Sequence, residues 1–251
     1  MTRFITILLL AYLVLAPRAA ADGLRFDHAI IAVHDFTGAQ ARMEKRGFAV
    51  KPGRLHANGL LNAYLEFDGN TEVELMTVAR PPQGSIAQAY YDYLASGEGG
   101  IYVALSGIDP AYAATRLEAA GIRYKITNAK AWRYITFPGQ PGLQAFFLLS
   151  PASNTDGRLR HKNGVTKVRA LTVDGNTAAE KMLMILGARA CPDTALCYRL
   201  ANMDLMLRIS DPAVKRPSVR RIVFDTAADL PQNISWRAHG VDFEISASSK
   251  R

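Results

Sequence analysis

Between residues 54 and 67 the chain reads RLHANGLLNAYLEF, and the His56 imidazole and the Asn62 carboxamide are groups that bind or activate small molecules. Successive side chains of a strand point to opposite faces, so alternation sorts the neighbouring segments. In FDHAIIAV (26–33), Ala29, Ile31 and Val33 share one face, and His28, Ile30 and Ala32 the other. In NAYLEF (62–67), Leu65 and Phe67 oppose Asn62, Tyr64 and Glu66; in EVELMTV (72–78), Val73 and Leu75 oppose Glu72, Glu74 and Met76. One face is apolar and can bury a helix. The other gathers His28, Asn62, Tyr64, Glu66, Glu72 and Glu74. Facing a second sheet, it would line a cup with a few convergent polar groups, the make-up of a ligand site. Simpler roles compete with this one. Asn58-Gly59 is a good turn dipeptide and Asn62 can bond its own backbone; His28 can be a satisfied edge histidine, and Glu66 and Glu72 ordinary edge charges.

The elements that must position these groups recur along the chain, a pattern to be sought before any other. The first copy is strand 26–33, helix 35–47 ending at Gly47, a strand near 49–54, then strands 62–67 and 72–78. The second is strand 101–107, helix 109–121 with Pro110 in its first turn, and strands 123–127, 132–137 and 143–150. The third runs from strand 166–175 through helix 176–188 to strands 195–201 and 204–210. A shorter fourth spans 219–225 to 240–246, with weak helical periodicity over Thr226 to His239. The expected fold class is α+β: repeated βαβββ modules pairing into curved-sheet cups. The expected organisation is a leader over 1–21, a two-module domain over 22–155, and a third module plus a shortened fourth over 164–251. Residues 79–84 and 150–164, rich in Pro, Gly, Asn and Ser, read as linkers.

These repeats, the DHAIIAV opening and the VELM close resemble the vicinal oxygen chelate superfamily, which includes glyoxalase I and the extradiol dioxygenases. GRLHANGLLN (53–62), PGQPGLQAFF (138–147) and HKNG (161–164) are similar to patterns in bacterial glyoxalase-like domain proteins. The resemblance covers about residues 24 to 175, and it bears on fold more than on activity, since one fold hosts many chemistries. It implies a divalent metal held by two side chains per module. The first module supplies His28 and Glu74, a pair suited to Zn, Fe, Mn or Ni. In the second, Tyr102 and Leu149 fall at the expected positions, so the four-ligand set is incomplete. Three readings stay open: a half-site completed by His56 or water, a metal-free acid/base pair of His28 and Glu74, or a structural histidine. The same resemblance sets His56, Asn62 and Tyr64 at the cup to hold a substrate carbonyl or carboxylate, with His161 and Asn163 approaching from the linker.

The ends of the chain and its composition bound the setting. Arg3, an uncharged run of 13 residues from Phe4 to Ala16, and Ala19-Ala20-Ala21 read as a cleaved export signal. The run is too short to span a bilayer comfortably, so the expected product is periplasmic or secreted, with no stable membrane span. Net charge is +8, or +6 without Arg3 and Arg18. The basic residues are scattered, and the short clusters at Arg158, Arg160 and Lys162 and at Lys215, Arg216, Arg220 and Arg221 lack interleaved aromatics, which argues against nucleic acid. Cys191 and Cys197 flank a Pro-Asp turn at a spacing suited to a small disulfide loop in an oxidising compartment. No GxSxG, HExxH, P-loop or strand-following GxGxxG occurs. The expected partner is a small-molecule ligand. Isomerase or lyase chemistry stands beside non-catalytic sequestration and beside a structural role in which the later modules pair two copies as a homodimer.

Overall fold

The computed structural model describes residues 23–129, 131–153, 159–209 and 218–247. The expected leader and Arg158, Lys215 and Arg216 lie outside them. The first unit is β1 (Arg25–Ala32), α1 (Phe36–Lys45), β2 (Lys51–Leu55), β3 (Leu60–Phe67) and β4 (Thr71–Val78). After α2 (Gly84–Leu94) comes the second: β5 (Gly99–Ser106), α3 (Pro110–Ala119), β6 (Lys125–Ala129), β7 (Trp132–Thr136) and β8 (Phe146–Ser150). The third is β9 (Val165–Gly175), α4 (Thr177–Ile185), β10 (Arg189–Ala190), β11 (Cys197–Arg199) and β12 (Asp204–Ile209). The fourth is β13 (Val219–Thr226), β14 (Ile234–Ala238) and β15 (Val241–Ser246).

Local chemistry sets the helix boundaries. The Asp35 side chain accepts from the Gly38 N–H, Asp109 from those of Ala111 and Tyr112, and Asn176 from those of Ala178 and Ala179. Such caps satisfy donors that a helix start leaves open. Two features differ from the sequence expectations. The stretch between Thr226 and His239 forms β14 rather than a helical turn, because its apolar residues serve a strand paired along β15. The chain after residue 84 forms α2, an additional helix between the first two units.

In every unit the first strand runs parallel to the last: β1 with β4, β5 with β8, β9 with β12, and β13 with β15. First strands then pair antiparallel, β1 with β5 and β9 with β13. The result is an α+β fold with two curved half-sheets, β2-β3-β4-β1-β5-β8-β7-β6 and β10-β11-β12-β9-β13-β15-β14. The faces that carry α1, α3 and α4 share one apolar core, into which Met43, Leu117, Met182 and Leu183 pack. Phe48 and Phe67 each lie 5.2 Å from Phe224, and Phe48 lies 6.0 Å from Trp236, so the first and fourth units interlock through aromatic rings. Arg116 Nε donates to the Ile185 carbonyl and Lys181 Nζ to that of Ala120, tying α3 to α4. A disulfide joins Cys191 to Cys197. No helix among the described residues is long and apolar enough to cross a membrane.

The two half-sheets are paired where Val219 of β13 meets Gly100 of β5. A Cβ on Gly100 would stand 2.5 Å from Val219 Cβ, 2.8 Å from its carbonyl oxygen and 3.1 Å from its Cα. Glycine here is required by close approach. Gly100→Ala should therefore destabilise the protein by about 1–3 kcal/mol, the usual cost of overpacking. Urea unfolding of the variant checks it; an unchanged midpoint would mean that the joint is loose.

Candidate functional site

Near its start β1 carries one residue more than β5 matches there, and β5 restores the count at Ile101, which is skipped between the Ile30–Tyr102 and Ile31–Gly100 pairs. Phe26 pairs with Leu105 and His28 with Ala104, leaving Asp27 unpaired in a β-bulge. The bulge resets the alternation, so Phe26 and Ala29 both enter the apolar core although they are three residues apart. It also sets the carboxylate beside the imidazole: His28 Nδ1–H donates to Asp27 Oδ1 at 2.8 Å. Asp27 Oδ2 accepts from the Ser153 N–H at 2.9 Å, which fixes the carboxylate to the exit of the second unit.

On the other side of the ring, His28 Nε2 lies 3.9 Å from Glu74 Oε2, too long for a hydrogen bond. Glu74 Oε1 accepts from Asn62 Nδ2 at 2.7 Å, and Asn62 Nδ2 also donates to Tyr64 Oη. Asn62 Oδ1 is taken by the Arg54 N–H at 2.9 Å. Gly53 makes this clamp feasible, because a Cβ there would lie 2.1 Å from Asn62 Oδ1. Gly59, at φ +93°, turns the hairpin against the carbonyls of Arg80 and Pro81. The GRLHANGLLN stretch thus holds Asn62, and through it Glu74, in register. Asn62 positions an acid rather than presenting a free amide to a ligand.

An aromatic wall continues from His28. Phe147 lies 5.7 Å from the His28 ring, and Tyr102 and Tyr134 each lie 6.1 Å from Phe147. Tyr90 of α2 reaches Tyr102 at 5.6 Å. Helix α2 packs Ala87, Tyr90, Tyr93 and Leu94 against Ile30, Ala32, Met76 and Ile101, on the same face as His28 and Glu74. The cup is therefore partly filled, and the His28 side chain keeps 11% of its surface exposed.

Electrostatics follow from this crowding. For His28, burial disfavours the imidazolium, but the bond to Asp27 and the charges of Glu74, Asp27 and Glu72 outweigh it and raise the pKa. Burial works against the Asp27 carboxylate too, yet its bonds to His28 and Ser153 hold its pKa below the usual range. Glu72, beside His28 on β4, is pushed up to about 7 by burial, with Glu74, Asp27 and Glu66 adding repulsion against the opposing pull of His28. Burial, reinforced by the Glu74 charge, also raises Tyr64, Tyr90 and Tyr134, and burial raises Tyr102, so these phenols keep their protons.

The remaining sequence candidates lie elsewhere. His161 Nδ1 accepts from the Ala49 N–H, its Nε2 meets the Glu66 carbonyl at 3.0 Å, and its ring lies 4.9 Å from Phe67 in the helix-side core. Asn163 Nδ2 donates to the Arg46 carbonyl and its Oδ1 accepts from the Val165 N–H, fastening the linker to the end of α1. Both rings and amides are occupied by backbone, so neither lines the cup. His56 sits in the β2–β3 turn, where its N–H meets the Leu60 carbonyl. Leu60 stands four residues along β3 from Tyr64, the partner of Glu74, or ~13 Å at strand rise. The buried Nε2 of His56 has no hydrogen-bond partner among the described residues. Register also corrects the second module. Val103 pairs with Phe146 as Ala29 pairs with Val73, so Phe147, not Leu149, is the counterpart of Glu74, and Tyr102 that of His28. Asp27 was the residue missed; its signal is a polar doublet, Asp27-His28, inside an apolar strand.

A divalent metal does not fit these donors. His28 and Glu74 offer two atoms, and their counterparts are a protonated phenol and a hydrocarbon ring. Among the described residues the one group of three His, Cys, Asp or Glu side chains at ligand spacing is Cys191, Cys197 and Asp204. There the two sulfurs are bonded to each other.

Comparison with known proteins gives the lineage. No curated protein matches. A hypothetical protein from Staphylococcus aureus superposes with a TM-score of 0.63 at 10% identity, covering 90% of this chain and 99% of that one. The Mn(II)-bound glyoxalase from Novosphingobium aromaticivorans gives 0.55 at 12%, covering 91% and 83%. A xylose isomerase-like TIM barrel/4-hydroxyphenylpyruvate dioxygenase fusion protein gives 0.54 at 16%, covering 84% of this chain, which spans 37% of the fusion. At these identities the likeness speaks for the fold. The family model described as a glyoxalase-like domain matches residues 26–183, more than half of the sequence. The chain belongs to the glyoxalase-like domain family of the vicinal oxygen chelate superfamily.

Proposed function

We propose that this chain is an exported glyoxalase-like protein that binds a small oxygenated metabolite against His28 and Glu74 and moves a proton on it without a metal. The observation that carries the reading is the buried line of Asp27, His28 and Glu74. Asp27 fixes the ring orientation and favours the imidazolium over the neutral ring. The 3.9 Å gap between His28 Nε2 and Glu74 Oε2 suits a bridging substrate oxygen or water. With a carbonyl there, the Glu74 carboxylate takes the proton from the adjacent carbon. On an α-hydroxy carbonyl, His28 Nε2–H gives its proton to the carbonyl oxygen, forming an enediol; protonated Glu74 then delivers its proton to the former carbonyl carbon while neutral His28 takes the proton of the other hydroxyl, which completes an isomerisation and restores both groups. Such acid–base assistance is typically worth 10²–10⁴-fold. Export is supported by the leader-like start and the Cys191–Cys197 disulfide. The packing of α2 and the aromatic wall around His28 favours a second reading, sequestration without turnover.

Solvent deuterium uptake separates the two. The protein is incubated in D2O with a panel of hydroxy-aldehydes, hydroxy-ketones and 2-oxo acids and followed by NMR. Exchange at the carbon next to the carbonyl should fall at least ~100-fold in His28→Gln and Glu74→Gln. Saturable binding with no exchange would leave sequestration, and neither binding nor exchange would sink both. Metal independence has its own check. Chelator dialysis followed by stoichiometric Mn(II) or Zn(II) should leave the melting temperature and any exchange unchanged, whereas a clear stabilisation by either ion would reinstate a metal site.

Charge at this site also predicts how stability varies with pH. Glu72 and His28 both bind a proton more tightly in the folded chain than in the unfolded one. Stability from each is full below its unfolded pKa and lost as pH rises through the folded one. For Glu72 that window runs from 4.5 to about 7, worth roughly 3 kcal/mol; the loss from His28 begins above 6.5. Between pH 4.5 and 7 the unfolding free energy should lose more with rising pH in the native protein than in Glu72→Gln, the His161 imidazole, its pKa lowered by burial, acting in the opposite sense equally in both. An equal slope in both would show that Glu72 is not the proton holder.

A further inference from the structure

The second pair of units forms its own cup, and its floor carries different chemistry at the equivalent positions. In the first unit His28 precedes and Glu74 follows the core pair Ala29–Val73. In the fourth unit Ile222 pairs with Phe243, so Arg221 and Glu244 occupy the corresponding places. They bond to one another, Arg221 Nη2 donating to Glu244 Oε2. A cavity of about 420 Å³ opens over them, lined by Arg169, Thr172, Met206, Arg221, Val223 and Ser246 among others.

We infer that this cavity is a second, separate site, and that it takes a small carboxylate. Glu244 is buried and already accepts from Arg221, Asn233, Ser235 and Ser246. It anchors the guanidinium and leaves no lone pair in need of a ligand. Arg221 gives Glu244 one N–H group, and the rest of its fork belongs to the cavity wall with Arg169. A planar fork matches a carboxylate with two parallel hydrogen bonds. The signs agree as well. Two guanidinium groups against the Glu244 carboxylate leave one positive charge, and the nearby Asp225 moderates Arg169 at 3.9 Å while pairing with Lys167 at 3.2 Å. That balance suits a carboxylate better than doubly charged phosphate. Thr172 adds a hydroxyl, and Ala170, Met206 and Val223 give the carbon skeleton an apolar floor. The volume falls within the 300–1,000 Å³ typical of small-molecule sites.

The test is a titration of the full chain with sodium succinate, acetate and inorganic phosphate at constant ionic strength, followed by backbone amide NMR. Succinate should shift resonances of β9, β13 and β15 saturably and bind at least tenfold tighter than phosphate. Arg221→Lys keeps a charge for Glu244 but loses the fork, and Arg169→Gln alters an exposed side chain; each should weaken succinate at least tenfold. His28→Gln should leave it unchanged. The inference is overturned if no carboxylate saturates, if phosphate binds as tightly, if Arg169→Gln and Arg221→Lys both bind succinate like the native protein, or if His28→Gln abolishes the binding. The last result would put the carboxylate in the first cup.

Discussion

Asp27 has no opposite residue in the pairing of β1 with β5, and the unpaired residue governs the chemistry of the first cup. Without it, strict alternation would send Asp27 to the helix side while His28 faced the cup alone. With it, Phe26 returns to the core and the carboxylate lies against the imidazole, 2.8 Å from Nδ1. A carboxylate that is 1% exposed is costly unless it is paired and bonded. Here the Ser153 N–H and the His28 Nδ1–H satisfy it, so the bulge, the exit of the second unit and the proton affinity of His28 depend on one another. The ring that results has one nitrogen anchored and the other directed across a gap at Glu74.

What stands opposite that ring sets a limit on its chemistry. Phe147 and Tyr102 occupy the positions from which a metal-binding member of the superfamily would draw its second pair of ligands. A hydrocarbon ring at one of them removes a donor, and burial keeps the phenol at the other protonated. The same aromatic groups lower the local dielectric, which strengthens the interaction of His28 with its carboxylates. Helix α2 acts in the same direction, since Tyr90 and Tyr93 cover apolar residues that would otherwise face solvent inside the cup. The site thus offers few donor atoms beside a buried, strongly coupled imidazole and its carboxylates.

Much of this could be read from the sequence because it rests on local rules. Alternation in 26–33, 62–67 and 72–78 separates core from cup, and the faces in the structure agree residue by residue apart from the Asp27 shift. Asp35, Asp109 and Asn176 mark three helix starts. What escaped reading is non-local. The bulge arises only when β1 meets β5, and α2 takes its role from the cup face it covers. The HKNG resemblance set His161 near the cup, but its partners, the Ala49 N–H and the Glu66 carbonyl, are backbone groups that no motif encodes. Leu149 and Phe147 have the same parity, and only pairing with β5 decides between them. Gly53 illustrates the converse: its place in a motif was visible, but its reason, a carboxamide lying against its α-carbon, is a contact across two strands.

The two cups together argue for a general property of the unit. Its first and last strands are parallel neighbours, and a core pair between them fixes the residues just before and just after as cup-facing. Any side chain at those two places is brought near its mate, whatever its chemistry. His28 with Glu74 and Arg221 with Glu244 are ion-pairing combinations, Tyr102 with Phe147 an aromatic one, and Ala170 with Met206 an apolar one. The backbone thus holds the geometry constant while the chemistry changes, and substitution at two positions per unit costs little elsewhere because neither reaches the helix-side core. A chain of four such units can carry an imidazole–carboxylate pair in one cup and a guanidinium–carboxylate pair in the other, since packing common to both lies behind the sheets, in the ring cluster of Phe48, Phe67, Phe224 and Trp236.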